Sequence, residues 1–334
     1  MFSTLFCVEE MMVIQPFVSI IVNNYNYDHF LADAIESALN QTYPHVETIV
    51  VDDGSTDRSR EIIASYGTQI IPILKTNGGQ ASALNAGYAA SRGEIILLLD
   101  ADDLFLSNKV SEVVKLFELQ SGIDWIFTES APVEPKDLID TDLQSIIQNV
   151  LNDGSQDIPQ KIDFRRNIKN AELPRFTPST SNLCFSRAFL ERLFPLPEVK
   201  GLSGLAICDT YLNLLAAGLG TGYVTKRNLG IFRLHSENLY TTQETYKKRS
   251  LSGEILITTA YWIHANFPEF RKMSRKLLSK GLGRYSTGSY RSEECEKLAR
   301  NYLDQSSFLE TFEIKLATLY CSLKLRLQDW SKKA

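Results

Sequence analysis

Residues 95–103 read IILLLDADD, five apolar residues followed by three carboxylates within four positions. A short apolar run bounded by polar turn residues is typical of a buried strand, and the pattern after it predicts a helix over residues 108–119. In open α/β sheets, ligands bind beyond the carboxyl ends of the strands. The carboxylates therefore stand where such a fold would place a binding site.

The same order of strand and helix is repeated upstream of residue 95. The strands are short and apolar, as in FVSIIV at 17–22 and TIVV at 48–51. Alternation of this kind predicts βαβ units, and therefore an α/β fold with a largely parallel sheet and helices on both faces. The predicted strands are 17–22, 48–51, 69–74 and 95–99, and the predicted helices are 28–40, 58–66, 80–90 and 108–119.

Three carboxylates close the strand at 95–99. Asp100, Asp102 and Asp103 repel one another at a buried strand end. A hard cation such as Mg²⁺ or Mn²⁺ would offset that repulsion and use its remaining positions on phosphate oxygens. A solvated turn with Asp103 as a helix cap is the alternative interpretation.

A second acidic cluster and a glycine pair suit a nucleotide. A carboxylate of Asp52 or Asp53, at the end of the strand at 48–51, can accept a hydrogen bond from the imide N–H of a base such as uracil. Gly78 and Gly79 precede the helix predicted at 80–90, and a helix N-terminus favours anions. A plain turn capped by Asp57, and a plain loop at the glycines, remain alternatives.

Composition bounds the class of protein. Hydrophobic residues make up 44% of the chain and charged residues 22%, the balance of a soluble globular protein. Residues 241–334 carry 17 Lys and Arg against 10 Asp and Glu, whereas the rest carries 18 against 30. An acidic body argues against nucleic acid as a ligand.

Five cysteines without a CxxC pair indicate reduced thiols. No apolar run approaches the ~18–20 residues that span a bilayer. We therefore expect a cytoplasmic protein.

The pattern divides the chain into a catalytic part and a helical tail. Residues 131–175 are rich in Pro, Asp, Asn and Gln, and we interpret them as a variable, lid-like excursion. From Thr241 onward the pattern is wholly helical. The predicted units are a catalytic domain at 16–240, with a nucleotide-binding half at 16–125 and an acceptor-side half at 126–240, and a helical region at 241–334.

Four runs, taken in order, resemble the inverting family 2 glycosyltransferases of the GT-A fold. They are VSIIVNNYN at 18–26, VDDGSTD at 51–57, NGGQASALNAG at 77–87 and SRGEIILLLDADD at 91–103. No single run is decisive, but all four occur in the family's order and spacing. The resemblance implies a nucleotide-sugar donor, a UDP-sugar by family frequency. It also implies a Mn²⁺ or Mg²⁺ cofactor and a carbohydrate or lipid-linked sugar acceptor.

The resemblance implies roles on the donor side residue by residue. Asp102 is implied as the metal ligand, with Asp100 on the ribose or the metal. Asp53, or its neighbour Asp52, is implied as the nucleobase contact. The other implied donor-side residues are Asn23, Asn24, Tyr25, Asn77, Gly79, Asn85 and Ala101.

One donor-side position departs from the family pattern. Many relatives carry arginine where this chain has Leu84, so any phosphate or uracil contact of that arginine is in doubt here. Lys75 is the candidate to replace it, and a solvated strand end is the alternative interpretation.

The second half carries a weaker resemblance. ICDTYLNLLAA at 207–217 resembles the helix that begins with the catalytic base, and Asp209 is the carboxylate at that place because Cys208 replaces the other acid. A helix N-cap is the alternative role for Asp209. Arg233 and His235 resemble an element that closes over the diphosphate, which implies a metal or phosphate contact for His235.

The implied reaction is a single displacement, in which Asp209 takes the proton of the acceptor hydroxyl and the anomeric centre inverts. Two rivals remain open: a nucleotidyltransferase, whose usual glycine-rich loop after the first strand is missing here, and a non-catalytic sugar-nucleotide-binding protein. A processive synthase is disfavoured because the chain lacks both its membrane helices and its QxxRW motif.

The basic tail suggests two interpretations. Apolar residues recur at helical spacing in 267–278 and again in 316–330, with Lys and Arg around them. Amphipathic helices packed on the catalytic domain account for this pattern. A peripheral contact with the inner membrane surface through 267–334 is the alternative, in which apolar side chains enter the interface and basic ones face anionic lipid.

Overall fold

The computed structural model describes residues 15–138, 141–153, 157–199, 208–238, 240–241 and 243–333. One nine-stranded mixed sheet organises these residues, in the order β3-β2-β1-β4-β8-β6-β9-β5, with β7 paired to β9. The strands are β1 Val18–Asn24, β2 Val46–Asp52, β3 Ile71–Leu74, β4 Ile95–Asp100, β5 Leu104–Phe105, β6 Trp125–Val133, β7 Gln160–Asp163, β8 Leu183–Ser186 and β9 Thr221–Arg233.

Twelve helices cover the sheet and form the C-terminal region of the described chain. Helix α3 has the bounds that the sequence predicts, and the other early helices differ by a residue or two at their ends. The helices are α1 Asp28–Leu39, α2 Ser59–Ser65, α3 Gln80–Ala90, α4 Lys109–Glu118, α5 Leu143–Asn152, α6 Arg165–Lys169, α7 Arg187–Leu190, α8 Cys208–Leu219, α9 Thr245–Asn266, α10 Arg271–Ser286, α11 Glu293–Asp304 and α12 Phe308–Lys333.

The first four strands are parallel, as the βαβ pattern predicts. Beyond β4 the sheet is mixed, because β8 runs antiparallel to both β4 and β6 while β6 and β9 are parallel. The predicted α/β architecture is therefore confirmed, and strands within residues 126–240 add the antiparallel pairs.

Alternate residues of the parallel strands point to opposite faces, and each face has its own apolar core. Ile21 and Leu98 pack with α3, α8, α9 and α10 on one face, whereas Ile20 and Leu97 pack with α1 and α4 on the other. All four side chains are fully buried. Helices α9 and α10 share the first core with the sheet, so the C-terminal helices are packed onto the catalytic part.

The predicted excursion at 131–175 packs against the sheet where it is described. Strand β7 pairs antiparallel with β9 along residues 160–163. Helix α5 lays Ile146 and Val150 on a small apolar cluster that includes Leu104 and Ile231. The segments at 139–140 and 154–156 lie outside the described residues.

Candidate active site

The carboxyl ends of three parallel strands bring both acidic clusters together. Strand register places Asn24 opposite Asp52 and Asn23 opposite Asp100. The Asn24 amide donates to Asp52 Oδ1 at 3.1 Å, and the Asn23 amide donates to Asp100 Oδ1 at 2.7 Å. The tip of β1 therefore joins the two clusters, as the sequence pattern predicts.

Asp100, Asp102 and Asp103 form a compact carboxylate cluster. One oxygen from each lies within 4.8 Å of the others. Burial, followed by the charge of Asp102, raises the pKa of Asp100 to about 7. The pKa of Asp103 is also raised, first by burial and then by the charges of Asp102 and Asp100. The cluster holds crowded negative charge out of water.

Amide and hydroxyl groups, rather than cations, support this cluster within the described chain. The Gln80 side chain, at the start of α3, donates to Asp100 Oδ1 at 2.9 Å. Ser181 Oγ donates to Asp103 Oδ2 at 2.6 Å and accepts from the Asp100 backbone N–H at 3.1 Å. Gln80 and Ser181 were missed from the sequence. Only the place of Gln80, directly after the glycine pair, offered a signal.

A buried lysine lies behind Ser181. Lys109 Nζ donates to the Ser181 carbonyl at 2.7 Å and to Thr128 Oγ1 at 3.2 Å. Burial lowers the pKa of this ammonium to about 8. Lys109 therefore ties α4 and β6 to the short segment that supports Asp103, and nothing in the sequence pattern of α4 indicated this role.

Arg233 fixes the backbone of residues 100–103, here called the carboxylate turn. Its guanidinium donates to the carbonyl of Asp102 at 2.5 Å and to that of Phe30 at 3.0 Å. It also pairs with Asp33 at 2.7 Å. The arginine side chain thus holds backbone and α1 in place, and the ion pair described for it is with Asp33 rather than with a carboxylate of the cluster.

His235 lies beside the cluster. Its Nε2 is 3.2 Å from Asp102 Oδ2 and 3.0 Å from the Asn238 amide. The ring packs on Phe30, with 4.4 Å between ring centroids. His235 Nδ1 is buried without a hydrogen-bond partner among the described residues. The structure thus brings this residue to the Asp102 carboxylate.

Asp53 and Lys75 form a closed contact. Asp53 accepts from Lys75 Nζ at 2.5 Å, from the Gly78 N–H at 3.0 Å and from the Gly79 N–H at 2.7 Å. Both of its oxygens are used, and the residue is 2% exposed. In this arrangement Asp53 holds residues 75–79, here called the glycine loop, and the positive charge of Lys75 is paired with the Asp53 carboxylate.

Asp52 has a basic partner that was missed from the sequence. Arg60 of α2 donates from Nε to Asp52 Oδ2 at 2.8 Å and from Nη2 to the Lys75 carbonyl at 3.0 Å. The Asp52 carboxylate also accepts from the Ser55 N–H at 3.1 Å. The guanidinium therefore joins α2, the end of β2 and the start of the glycine loop.

The remaining donor-side residues differ in accessibility. Tyr25 is 46% exposed at the tip of β1, whereas Ala101 is buried. Asn77 donates to the Asp53 carbonyl at 3.0 Å. Asn85 lies further along α3 and exchanges hydrogen bonds with the Leu196 backbone, so it contacts the 196–198 segment. The buried Leu84 faces the core of the sheet.

Asp209 occupies the first turn of α8. Its Oδ1 accepts from the Thr210 N–H at 2.6 Å. Burial raises the pKa of Asp209, and its charge in turn helps to raise the pKa of Asp100. Asp209 therefore lies within electrostatic range of the carboxylate cluster. Residues 200–207, which precede it, lie outside the described chain.

The described residues fit a hard divalent cation. Three carboxylates supply the oxygen ligands that Mg²⁺ and Mn²⁺ prefer, and burial, followed by the charges of neighbouring aspartates, raises the pKa of two of them. Asp102, with Asp100 and Asp103, would hold the ion. His235 is close to Asp102 but is not a member of the three-carboxylate group.

None of the described helices is long and apolar enough to cross a bilayer.

Comparisons with known proteins agree with this geometry. Residues 19–167 match the family model described as glycosyl transferase family 2. An uncharacterized glycosyltransferase of Nostoc sp. is 34% identical over 225 residues, which cover 66% of each chain. One from Rickettsia typhi is 45% identical over 111 residues, which cover 33% of this chain and 35% of that protein. This chain thus spans from about a third to just under two thirds of these relatives' length.

Solved structures support the fold. S. aureus TarS 1–349, solved in complex with UDP-GlcNAc, matches with a TM-score of 0.52 and 16% sequence identity, over 91% of this chain and 79% of that one. Its complex with UDP matches with a TM-score of 0.50. The fold is therefore GT-A-like, as the sequence resemblance implied.

Proposed function

Because residues 19–167 match glycosyl transferase family 2, we propose that the chain transfers a sugar from a nucleotide-sugar to an acceptor hydroxyl with inversion at the anomeric carbon. The transfer depends on a divalent cation, Mn²⁺ or Mg²⁺. A UDP-sugar is the first donor to test, because the structurally similar TarS is solved with UDP-GlcNAc.

The observation that carries the proposal is a carboxylate cluster at one sheet edge with a separate carboxylate, that of Asp209, within electrostatic range of it. Asp100, Asp102 and Asp103 form the crowded cluster. Asp209 approaches it from α8, separately in sequence, and influences the pKa of Asp100. A cation site beside an independent carboxylate base is the arrangement that a single displacement on a sugar diphosphate needs.

Asp100, Asp102 and Asp103 would hold the cation, which would supply positive charge for the diphosphate leaving group. The protein's own groups do the rest. The first N–H groups of α3 have no partner within the helix. The Gln80 side chain, at this end of α3, donates a hydrogen bond to Asp100, so the helix N-terminus lies beside the carboxylate cluster. The N-terminus of α3 is therefore suited to phosphate oxygens. The exposed Tyr25 ring provides a face on which a base can stack.

Asp209 acts as the general base. It removes the proton of the acceptor hydroxyl while the hydroxyl oxygen bonds to the anomeric carbon and the bond from that carbon to the diphosphate oxygen breaks. Attack opposite the leaving group inverts the centre, and no sugar is attached to the enzyme. Burial raises the pKa of Asp209, which makes its carboxylate a stronger base than an exposed aspartate.

A thermal-shift screen of nucleotide-sugars, with Mn²⁺, with Mg²⁺ and with a chelator, tests the donor and the metal together. We expect one donor to raise the melting temperature only with the cation, and Asp102→Asn to abolish that rise. Glu61→Gln, at an exposed carboxylate of α2, is the matched control. A donor effect that persists in chelator, or in Asp102→Asn, contradicts the metal role.

Turnover separates the proposal from its rivals. We expect slow hydrolysis of the stabilising donor to the nucleoside diphosphate and free sugar, with NMR of the first-formed sugar showing the inverted anomer. Donor binding without any hydrolysis or transfer would indicate a non-catalytic binding protein. Release of pyrophosphate from a nucleoside triphosphate and a sugar phosphate would indicate a nucleotidyltransferase.

A further inference from the structure

Helix α12 turns its small side chains inward and its large apolar side chains outward. It packs on α10 through Thr318 and Ser322, whose hydroxyls bond to the carbonyls of Ser279 and Gly283. Ile314 and Ser322 are the buried residues of the helix within its described part. A surface helix of a soluble domain normally has the opposite arrangement.

The outward side chains form one continuous strip, here called the α12 stripe. At 3.6 residues per turn they occupy an arc of about 120°, along a helix about 39 Å long. Each is between 49% and 84% exposed. The members of the stripe are Phe308, Leu309, Phe312, Leu316, Leu319, Tyr320, Leu323, Leu327 and Trp330.

Specific contacts hold the helix in this orientation. Near its end, Arg249 of α9 forms a bidentate pair with Asp329, with both distances 2.6 Å. At its start, Glu310 accepts from the Ser307 N–H at 3.0 Å and from Arg271 at 2.8 Å. These contacts fix which face of α12 points to the body, so the stripe is fixed on the outside.

Basic residues border the stripe on both edges. The helical spacing places Lys315 and Arg326 along one edge and Lys324 along the other. On the α10 side, Lys280 and Arg284 directly follow Ser279 and Gly283, whose carbonyls accept hydrogen bonds from α12. Burial, and then the charges of Lys276, Arg284 and Lys324, lower the pKa of Lys280. None of the five bordering residues forms an ion pair within the described chain, whereas Arg271 and Arg275 are paired with acids of α12.

We propose that the α12 stripe docks on the surface of a bilayer that contains anionic lipid. The helix lies in the plane of the interface, its leucines and aromatics enter the boundary between headgroups and acyl chains, and the bordering lysines and arginines meet lipid phosphates. Apolar area and uncompensated positive charge then serve one contact. Residues 267–278 do not take part as the sequence suggested, since Phe270, Leu277 and Leu278 are buried in the core.

Charge decides between a bilayer and a second copy of the chain. A symmetric pair of α12 helices would bury the same patch from both subunits, which would bring the unpaired lysines and arginines of the two borders close together. Such like-charge contacts oppose association. An anionic surface satisfies the same groups.

Co-sedimentation with lipid vesicles tests the proposal. Vesicles of phosphatidylcholine with about 30 mol% phosphatidylglycerol are compared with pure phosphatidylcholine, at about 0.05 M and about 0.5 M salt. We expect the protein to pellet with the anionic vesicles at low salt and to be released at high salt. Lys324→Glu removes one positive charge and adds a negative one, so we expect its partition to fall by about fivefold or more.

Leu316→Glu with Leu323→Glu tests the apolar part, and we expect this pair to abolish pelleting. Leu119→Glu, which changes a leucine 64% exposed at the end of α4, and Lys161→Glu, on the surface strand β7, are the matched controls. Circular dichroism checks that every variant is folded. Wild-type protein that stays in the supernatant at low salt overturns the proposal, as does binding that the stripe variants leave unchanged. A dimer in sedimentation equilibrium that Leu316→Glu dissociates would assign the stripe to a second copy instead.

Discussion

Replacing Asp53 by asparagine isolates the contact that holds the glycine loop. The carboxylate accepts from Lys75 Nζ at 2.5 Å, and from the Gly78 and Gly79 N–H groups at 3.0 and 2.7 Å. Asparagine has one acceptor oxygen in place of two. If that oxygen stays with Gly79, the new NH₂ group faces the Lys75 ammonium, so Asp53→Asn loses the ion pair and the shorter bond to Gly78.

The exposure and contacts of Lys75 and Asp53 determine how far Asp53→Asn lowers the free energy of unfolding. Removing one partner of a buried ion pair costs about 3–5 kcal/mol. Lys75 is 21% exposed and can turn to water, and the bond to Gly79 survives, so we expect Asp53→Asn to lower the free energy of unfolding by about 2–3 kcal/mol. Lys75→Met leaves both backbone N–H bonds to Asp53 but removes the counter-charge of this buried carboxylate, so we expect it to cost about as much, roughly 2–3 kcal/mol.

Urea unfolding with linear extrapolation measures both variants. Glu61→Gln is the control, because the Arg58–Glu61 pair is 77% and 75% exposed and such pairs contribute less than about 1 kcal/mol. Hydrogen exchange adds residue resolution. The Gly78 amide should exchange faster in Asp53→Asn and keep its protection in Lys75→Met.

Two results would refute this reasoning. A loss below about 0.5 kcal/mol, with unchanged exchange at Gly78, would mean that the carboxylate does not hold the loop in solution. Unchanged stability combined with altered selectivity among nucleotide bases would assign Asp53 to the base, the role that the sequence resemblance implied.

Three further predictions follow from the site and its supports. Asp209→Asn should lower kcat by about 10²-fold or more and leave donor affinity unchanged in a binding titration, and a collapse of donor affinity would contradict the assignment. Since burial raises the pKa of Asp209, the kcat of the wild-type enzyme should begin to fall on acidification at a higher pH than an exposed aspartate would give. The pKa of Glu310 is lowered from 4.5 to about 2, chiefly by the Ser307 N–H, so the ionised side chain stabilises the fold fully above pH 4.5 and loses this effect as the pH falls toward 2. The urea unfolding midpoint of Glu310→Gln should therefore lie below that of the wild-type protein at neutral pH, and the two midpoints should converge between pH 4.5 and pH 2. Gly87→Ala places a Cβ 2.4 Å from Ile21 Cγ2 and should cost about 1–3 kcal/mol in urea unfolding, whereas no change would show that α3 can move away from β1.

The donor half was predictable because its signals are local. Apolar runs ending in Asp or Gly fix the strand ends, and α3 begins directly after Gly79 as predicted. The meeting of Asp52 and Asp100 through the tip of β1 follows from parallel register alone. The roles of individual residues there remain predictions, with Asp53 and Lys75 found in a closed pair.

What the sequence did not reveal depends on partners distant along the chain. Lys109 reads as an ordinary basic residue at a helix start, yet it is fully buried because Thr128 and the Ser181 carbonyl accept from it. The orientation of the C-terminal helices likewise depends on partners that are distant along the chain. Residues 267–278 and 316–330 have comparable apolar spacing, but only the core beneath α10 decides that Leu277 is buried and Leu316 is exposed.

The Arg233 contacts also bear on how the protein is made. At about 5–20 residues per second, the carboxylate turn leaves the ribosome on the order of 10 s before the arginine that clamps it. Until residues 183–186 have also emerged, β4 lacks β8, its neighbour on the far side from β1, and an unpaired apolar edge invites association with other chains. The nascent chain up to residue 125 thus has its βαβ units complete while the turn at 100–103 still lacks the contacts of Arg233. Translation that pauses before residue 183, or the loss of everything after it, would leave this edge of β4 open to aggregation.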